Sequence, residues 1–287
     1  MARTLEPYQL VERSIITKYR KVLWNPFIEA VKRYEMIQPG DRIAVCISGG
    51  KDSMLLAKLM QQLQKHSDFP FELVFLVMDP GYNELNRRKI ESNAALLNIP
   101  VTIFESDIFE VADSAGKSPC YLCARMRRGY LYSRAQELGC SKIALGHHFN
   151  DVVETTLISM FYGSQLQAML PKLHSTNFEG MTLIRPLYCV HEDDIIAWAR
   201  DNSLEFIQCA CRLTERSAAD TGDVNVSKRK EIKLLLRRLR QGNPNIEKSI
   251  FNSIHAVALD TMPGFKTGGV EHSFIERFNA MESTEDE

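Results

Sequence analysis

A chain of 287 residues, 45% hydrophobic and 25% charged, is long enough for one large or two small domains around a real core. No apolar stretch reaches the length of a membrane span, and the opening Met1-Ala2-Arg3-Thr4-Leu5-Glu6 lacks a signal-peptide hydrophobic region, so a cytoplasmic protein with no membrane partner is expected. The net charge of −1 gives no support for nucleic-acid binding by itself, and seven cysteines in a reducing compartment point to metal or sulfur chemistry rather than structural disulfides.

From about Leu5 to Tyr34 the chain reads as helical and basic, with Arg13, Lys18, Arg20, Lys21, Lys32 and Arg33, until Gln38-Pro39-Gly40-Asp41 ends it. These cations suit a solvated helical face or an RNA-touching one. Next, Ile43 to Ile47 is an apolar, largely β-branched run that stops at Ser48-Gly49-Gly50-Lys51-Asp52-Ser53, and Met54-Leu55-Leu56 begins a helical pattern. This is a buried strand, a glycine turn and a helix N-terminus. Backbone N–H groups converge in such a turn, and the helix dipole adds positive charge. With the Lys51 ammonium and the Ser48 and Ser53 hydroxyls, the turn is a phosphate cradle. The Walker spacing and Gly-x-Gly-x-x-Gly are both absent.

A second buried strand, Phe71 to Met78, ends at Asp79-Pro80-Gly81; a helix follows from Asn83 to Leu97, then strands over Val101–Phe104 and Lys142–Gly146. Strands alternating with helices predict an α/β fold, a doubly wound parallel sheet with helices on both faces. Ligands of such sheets sit beyond the carboxyl ends of the strands. Ser48-Gly49-Gly50, Met78-Asp79 and Gly146-His147 all lie there, able to converge on one nucleotide. After Gly146-His147-His148, Asp151 and Glu154 fall in the first turn of a helix; they read as caps or, beside a phosphate cradle, Asp52 and Asp151 read as Mg²⁺ ligands or catalytic carboxylates.

Cys120 and Cys123 form a Cys-x-x-Cys followed by Arg125, Arg127 and Arg128, which suits a redox pair, half a zinc site or part of an iron–sulfur site. Cys209 and Cys211 offer two more thiols after an expected strand end at Phe206-Ile207, whereas Cys46, Cys140 and Cys189 read as small buried residues. Beyond Leu213, a polar loop leads to an amphipathic basic helix over Ser227–Arg240 and another from Asn243 to about Leu259. The expected organisation is an N-terminal helical segment over 1–37, a nucleotide-binding domain over 38–213 with the inserted Cys-x-x-Cys, a basic helical region over 214–265 and a disordered tail over 266–287.

Ser48-Gly49-Gly50-Lys51-Asp52-Ser53 resembles the PP-loop of N-type ATP pyrophosphatases. Taken with Cys-x-x-Cys-x-Arg-x-Arg-Arg-Gly, Gly-His-His-x-x-Asp-x-x-Glu-Thr, Met160-Phe161-Tyr162-Gly163, Arg185-Pro186-Leu187 and a late cysteine pair, the chain from about Gln38 to Thr214 resembles the tRNA 2-thiocytidine biosynthesis family. The resemblance implies an adenine nucleotide alpha hydrolase-like fold, ATP and Mg²⁺, and a [4Fe–4S] cluster held by three cysteines. It implies thiolation of a cytidine in the tRNA anticodon loop, with sulfur from a donor such as a cysteine desulfurase or free sulfide; a homodimer stays open. On this resemblance Ser48 to Ser53 hold ATP, Lys51, Asp52 and Asp151 belong to the catalytic centre, and Cys120 and Cys123 ligate the cluster. The family's usual second Pro-Cys-x-x-Cys is replaced here by Gln208-Cys209-Ala210-Cys211, so the third ligand is expected to be Cys209, with Cys211 as alternative. A PP-loop ligase, a thiolase acting on another tRNA position or another substrate, and an ATP-regulated iron–sulfur sensor are the rival readings.

Overall fold

A computed structural model describes residues 5–106, 108, 119–207 and 224–282. Contacts divide the chain into two compact units, residues up to Arg237 and residues from Arg238 onward.

The first unit is built on a six-stranded sheet of order β3-β2-β1-β4-β6-β5, formed by β1 (Arg42–Ile47), β2 (Glu72–Asp79), β3 (Val101–Glu105), β4 (Lys142–Ala144), β5 (Lys172–His174) and β6 (Thr182–Ile184). All neighbours pair in parallel except β5, which runs antiparallel to β6. Val45 of β1 stands opposite Phe75 on one side and Ala144 on the other. From Ile43 to Ile47 every residue is buried, because both faces of a parallel sheet are covered and the two-residue period then hides all side chains. Ala44 and Cys46 face one cluster with Leu76, Ile143, Leu183, Tyr132 and Ala135, the last two from α5 (Pro119–Glu137). Against the sheet also packs α3 (Lys51–His66), which in turn meets α7 (Glu192–Asp201). The remaining helices of the layer are α4 (Glu84–Leu96) and α6 (Phe149–Gly163). The parallel sheet read from the sequence is therefore present, with two short strands added at one edge. The order steps from β1 outward to β2 and β3, then returns to place β4 on the other side of β1. That reversal opens a crevice at the carboxyl ends of β1 and β4.

The stretch read as helical from Leu5 to Tyr34 is made of α1 (Pro7–Ile16), a π-helical turn (Arg20–Trp24) and α2 (Asn25–Arg33). Pro26, which has no N–H to donate, belongs in a first helical turn and so starts a new helix. The strand expected before Cys209 is not formed: residues 204–207 are irregular, and Cys209 and Cys211 lie outside the described residues.

The basic helix α8 (Val224–Gly242) begins in the first unit and ends in the second. The second unit continues with α9 (Ile246–Ser253). Where composition suggests a disordered tail, β7 (Gly264–Thr267) and β8 (Val270–Ser273) pair as a hairpin, followed by α10 (Phe274–Glu282). Gly268 and Gly269 both take positive φ, 56° and 81°, as a two-residue hairpin turn with the right twist demands. Ser273 then caps α10 by accepting from the Glu276 N–H at 3.2 Å. No helix among the described residues is long and apolar enough to cross a membrane.

Candidate active site at the carboxyl edge of the sheet

The turn between β1 and α3 is fixed by small residues and one hydroxyl. Gly49 has φ +84°, and a Cβ on it would lie 2.6 Å from the Ile90 and Ile207 side chains, so only glycine fits. The Ser53 Oγ accepts from the Ser48 N–H at 3.2 Å and donates to the Gly50 carbonyl at 2.9 Å, which ties the two ends of the loop together. Across the crevice Gly146 follows β4, and a Cβ there would come 3.1 Å from the Ser53 nitrogen. The two strand ends therefore approach as closely as backbone allows, with the α3 N-terminus between them.

A cavity of about 380 Å³ opens above this junction. Ser48, Asp52, Ser53, Met78, Gly146, His147 and Asp151 line it, and from α5 so do Arg127, Arg128 and Leu131. Seven of the residues expected at the site thus meet in one cavity. Asp79 is not among its lining residues and acts on its own turn instead. The Asp79 carboxylate accepts from the Gly81 and Tyr82 N–H groups at 2.9 and 2.7 Å and from Arg87 at 3.0 Å. Lys51 stands beside the cavity, its ammonium 3.1 Å from both Asp52 and Glu192. Burial by itself would lower the Lys51 pKa; the two carboxylates outweigh it and leave it raised. For Glu192, burial is likewise outweighed by Lys51 and other cations, bringing its carboxyl down to about 2.

A charged network extends from these residues. His148 caps α6, its N–H donating to Asp151 at 3.0 Å, and its Nε2 lies 3.5 Å from Asp151 and 3.9 Å from Asp52. From α8, Arg229 reaches Asp151 and Glu154 at 3.5 Å, and Lys233 reaches Glu192 at 3.1 Å and Glu154 at 3.6 Å. Asp151 is held below the usual carboxylate range: burial would raise it, but the neighbouring His148 ring and backbone N–H, then His147 and Arg229, prevail. Glu154 goes the other way, up to about 7, because burial exceeds what Lys233 and Arg229 return. Burial takes His147 down to about 4 against the opposing pull of Asp151, so its ring is neutral near pH 7.

The Cys-x-x-Cys lies in the first turn of α5, with Cys120 and Cys123 one turn apart. Cys123 precedes Arg127 by four residues, about 6 Å along the helix axis. The helix that carries the thiols thus also walls the cavity. Among the described residues, no three His, Cys, Asp or Glu side chains converge closely enough to hold a metal alone. Sequence reasoning missed Glu192 and gave His148 and Glu154 only as polar or capping residues.

A glycine-serine loop at a topological switch point, backed by a lysine and flanked by carboxylates, defines a PP-loop nucleotide-binding protein, and the family model of the PP-loop domain matches residues 17–214. A tRNA-cytidine(32) 2-sulfurtransferase from Geobacter sulfurreducens is 37% identical over 240 residues, covering 83% of this chain and 90% of the relative. One from Alkalilimnicola ehrlichii is 36% identical over 263 residues, covering 90% of this chain and 78% of the relative. The chain belongs to the family of these tRNA sulfurtransferases. The fold is shared with the U34-tRNA thiolase NcsA from Methanococcus maripaludis, solved with its [4Fe–4S] cluster, at TM-score 0.64 and 19% identity over 88% of this chain and 84% of that one.

Proposed function

We propose that the protein thiolates a cytidine of the tRNA anticodon loop at the expense of ATP. The observation that carries this reading is the meeting of the Ser48–Ser53 loop, Asp151 and the cysteine-bearing helix α5 around one cavity. ATP lies across the carboxyl edge of the sheet with its β- and γ-phosphates on the loop. The cytosine C2 carbonyl oxygen attacks the α-phosphate, the bond to pyrophosphate breaks, and Lys51 with the loop N–H groups offsets the charge that leaves with it. Sulfide then adds at C2 and AMP departs with the former carbonyl oxygen. The target base has to be unstacked to enter, as anticodon-loop bases readily are.

Asp52 and Asp151 would hold Mg²⁺. Since no described cluster binds a metal alone, the ion's other ligands would be triphosphate oxygens and water, its usual arrangement. Cys120, Cys123 and Cys209, with Cys211 as alternative to the last, are the proposed cluster ligands. Thiolates suit iron, and three of them leave one iron without a protein ligand, which supplies a sulfur-carrying position when the cluster is bound. A cysteine desulfurase or free sulfide is the proposed sulfur source.

Two measurements test this. Protein mixed with ATP and tRNA should release pyrophosphate and leave AMP, and Lys51→Ala should cut that rate by about 100-fold or more while its circular dichroism is kept. Release by Lys51→Ala near the wild-type rate would refute the loop's role. Anaerobically purified protein should be brown; Cys209→Ala should lose the colour and Cys211→Ala keep it. Stoichiometric zinc, or equal loss from both variants, would rule out the open-iron arrangement.

A further inference from the structure

A second pocket, of about 430 Å³, lies between α5 and the segment Leu173–Phe178. It shares one residue, Arg128, with the ATP cavity, so that guanidinium stands in the wall between the two. Arg125, one turn earlier on the exposed side of α5, faces into it as well. Among the described residues neither arginine has a carboxylate within ion-pair distance, and none of the described lining residues is acidic. Several other guanidiniums of this protein are held by a carboxylate, among them Arg87, Arg134, Arg229 and Arg240, and Arg185 and Arg277 by backbone carbonyls.

The rest of the pocket is built to hold a shape. Tyr132 and Phe178 stack at 5.0 Å with 9° between their planes and form an apolar wall. The turn opposite is pinned by the Ser175 Oγ, which accepts from the Phe178 N–H at 3.1 Å. That leaves Thr176 and Asn177 exposed at the rim, where their polar groups can reach a ligand. Two forked cations for phosphate oxygens, a hydroxyl and an amide for sugar or base edges, and an aromatic wall match a nucleotide of a single strand. The volume is in the range of about 300–1,000 Å³ typical of small-ligand sites.

We infer that this pocket takes the ribose-phosphate of a nucleotide neighbouring the one that is thiolated, with Arg125, Arg128 and the 175–178 turn as its contacts. The inference rests on the tRNA-thiolation reading and adds the place where the RNA strand leaves the reaction cavity. Phosphate chemistry would also admit a free mononucleotide, so both ligands enter the test.

The experiment uses the full-length protein and an anticodon stem-loop RNA, with Arg125→Gln and Asn177→Ala as variants, since neither residue lines the ATP cavity. Arg125→Gln should weaken RNA binding about tenfold and reduce the slope of log K against log salt by about 0.7, the value per phosphate on a single strand. Asn177→Ala should weaken it a few-fold with the slope kept, and ATP affinity should stay at the wild-type level in both. A photo-crosslinking nucleotide placed beside the target base should attach to the peptide containing 174–178. Wild-type affinity and slope in both variants, crosslinks confined to other peptides, or competition by free cytidine monophosphate in the micromolar range would overturn the assignment. Failure of the wild type itself to bind or thiolate the RNA would instead overturn the functional reading beneath it.

Discussion

Glu154 shows how one side chain records the whole site. It lies 2% exposed on α6, within 3.6 Å of Lys233 and 3.5 Å of Arg229, yet its carboxyl stands at about 7. A carboxyl whose folded pKa lies above its unfolded value binds its proton more tightly in the folded state. Its contribution is therefore favourable at low pH and is lost as pH rises from the unfolded value through about 7. Glu154→Gln, which keeps the shape and removes the charge, should accordingly gain stability relative to wild type at pH 8.5 compared with pH 5, by on the order of 2 kcal/mol in denaturant unfolding. An equal difference at both pH values would mean that Glu154 is ionised throughout and fully balanced by its cations. Glu192, by contrast, was invisible in the sequence. It sits 141 positions from Lys51, at a helix start where a glutamate is an ordinary finding, and only the return of the chain to the same sheet edge puts the two 3.1 Å apart.

Among the elements, α1 is held to the domain by a buried ion pair rather than by apolar contact alone. Lys58 of α3 is fully buried and donates to Glu12 at 2.8 Å, Gln61 at 2.7 Å and the Leu97 carbonyl at 2.7 Å, using all three of its protons. Burial lowers the Lys58 pKa and Glu12 only partly restores it. Glu12→Ala would strand that ammonium and should cost about 3–5 kcal/mol of unfolding free energy, while adding Lys58→Met should recover most of the loss. A double variant as unstable as Glu12→Ala would show that Glu12 acts through α1 and not through Lys58. How far such elements were legible depended on length and periodicity. The strands β1 and β2, the loop and α3 could be read directly, because a continuous apolar run meets a glycine turn. At three residues each, β5 and β6 offer no period to detect, and their place at the sheet edge comes from pairing. The β7–β8 hairpin did carry a signal, Gly268-Gly269 between two short runs, which the polar composition around it hid. The loop and Asp151 of the candidate site were legible because their chemistry is local in sequence; the α8 cations were legible as a basic face but their partners were not.

Over the whole molecule, 35 lysines and arginines meet 36 aspartates and glutamates, so no net field draws RNA in and binding must come from where cations are left unneutralised. By sequence alone, the α5 arginines and the α8 helix are both candidates to touch tRNA. The geometry separates two of the α8 cations from the α5 arginines. Arg229 and Lys233 are engaged by Asp151, Glu154 and Glu192 beside the cradle, whereas Arg125 and Arg128 line a pocket without a described acid. A cation already compensated inside the protein releases no counterion from the RNA and adds nothing to the salt slope. The double variant Arg229→Gln, Lys233→Gln should therefore bind tRNA with the wild-type salt slope. Its loss should fall on the fold instead. Without those two cations, three carboxylates are left facing one another, and Glu154, whose carboxyl the cations otherwise hold down to about 7, costs more to ionise as pH rises past that value. The variant's melting temperature should drop more at pH 8.5 than at pH 6, opposite in sign to the gain expected from Glu154→Gln. A slope flattened by about 1.8, two duplex contacts' worth, with melting unchanged at both pH values, would show that Arg229 and Lys233 leave their carboxylates to hold RNA.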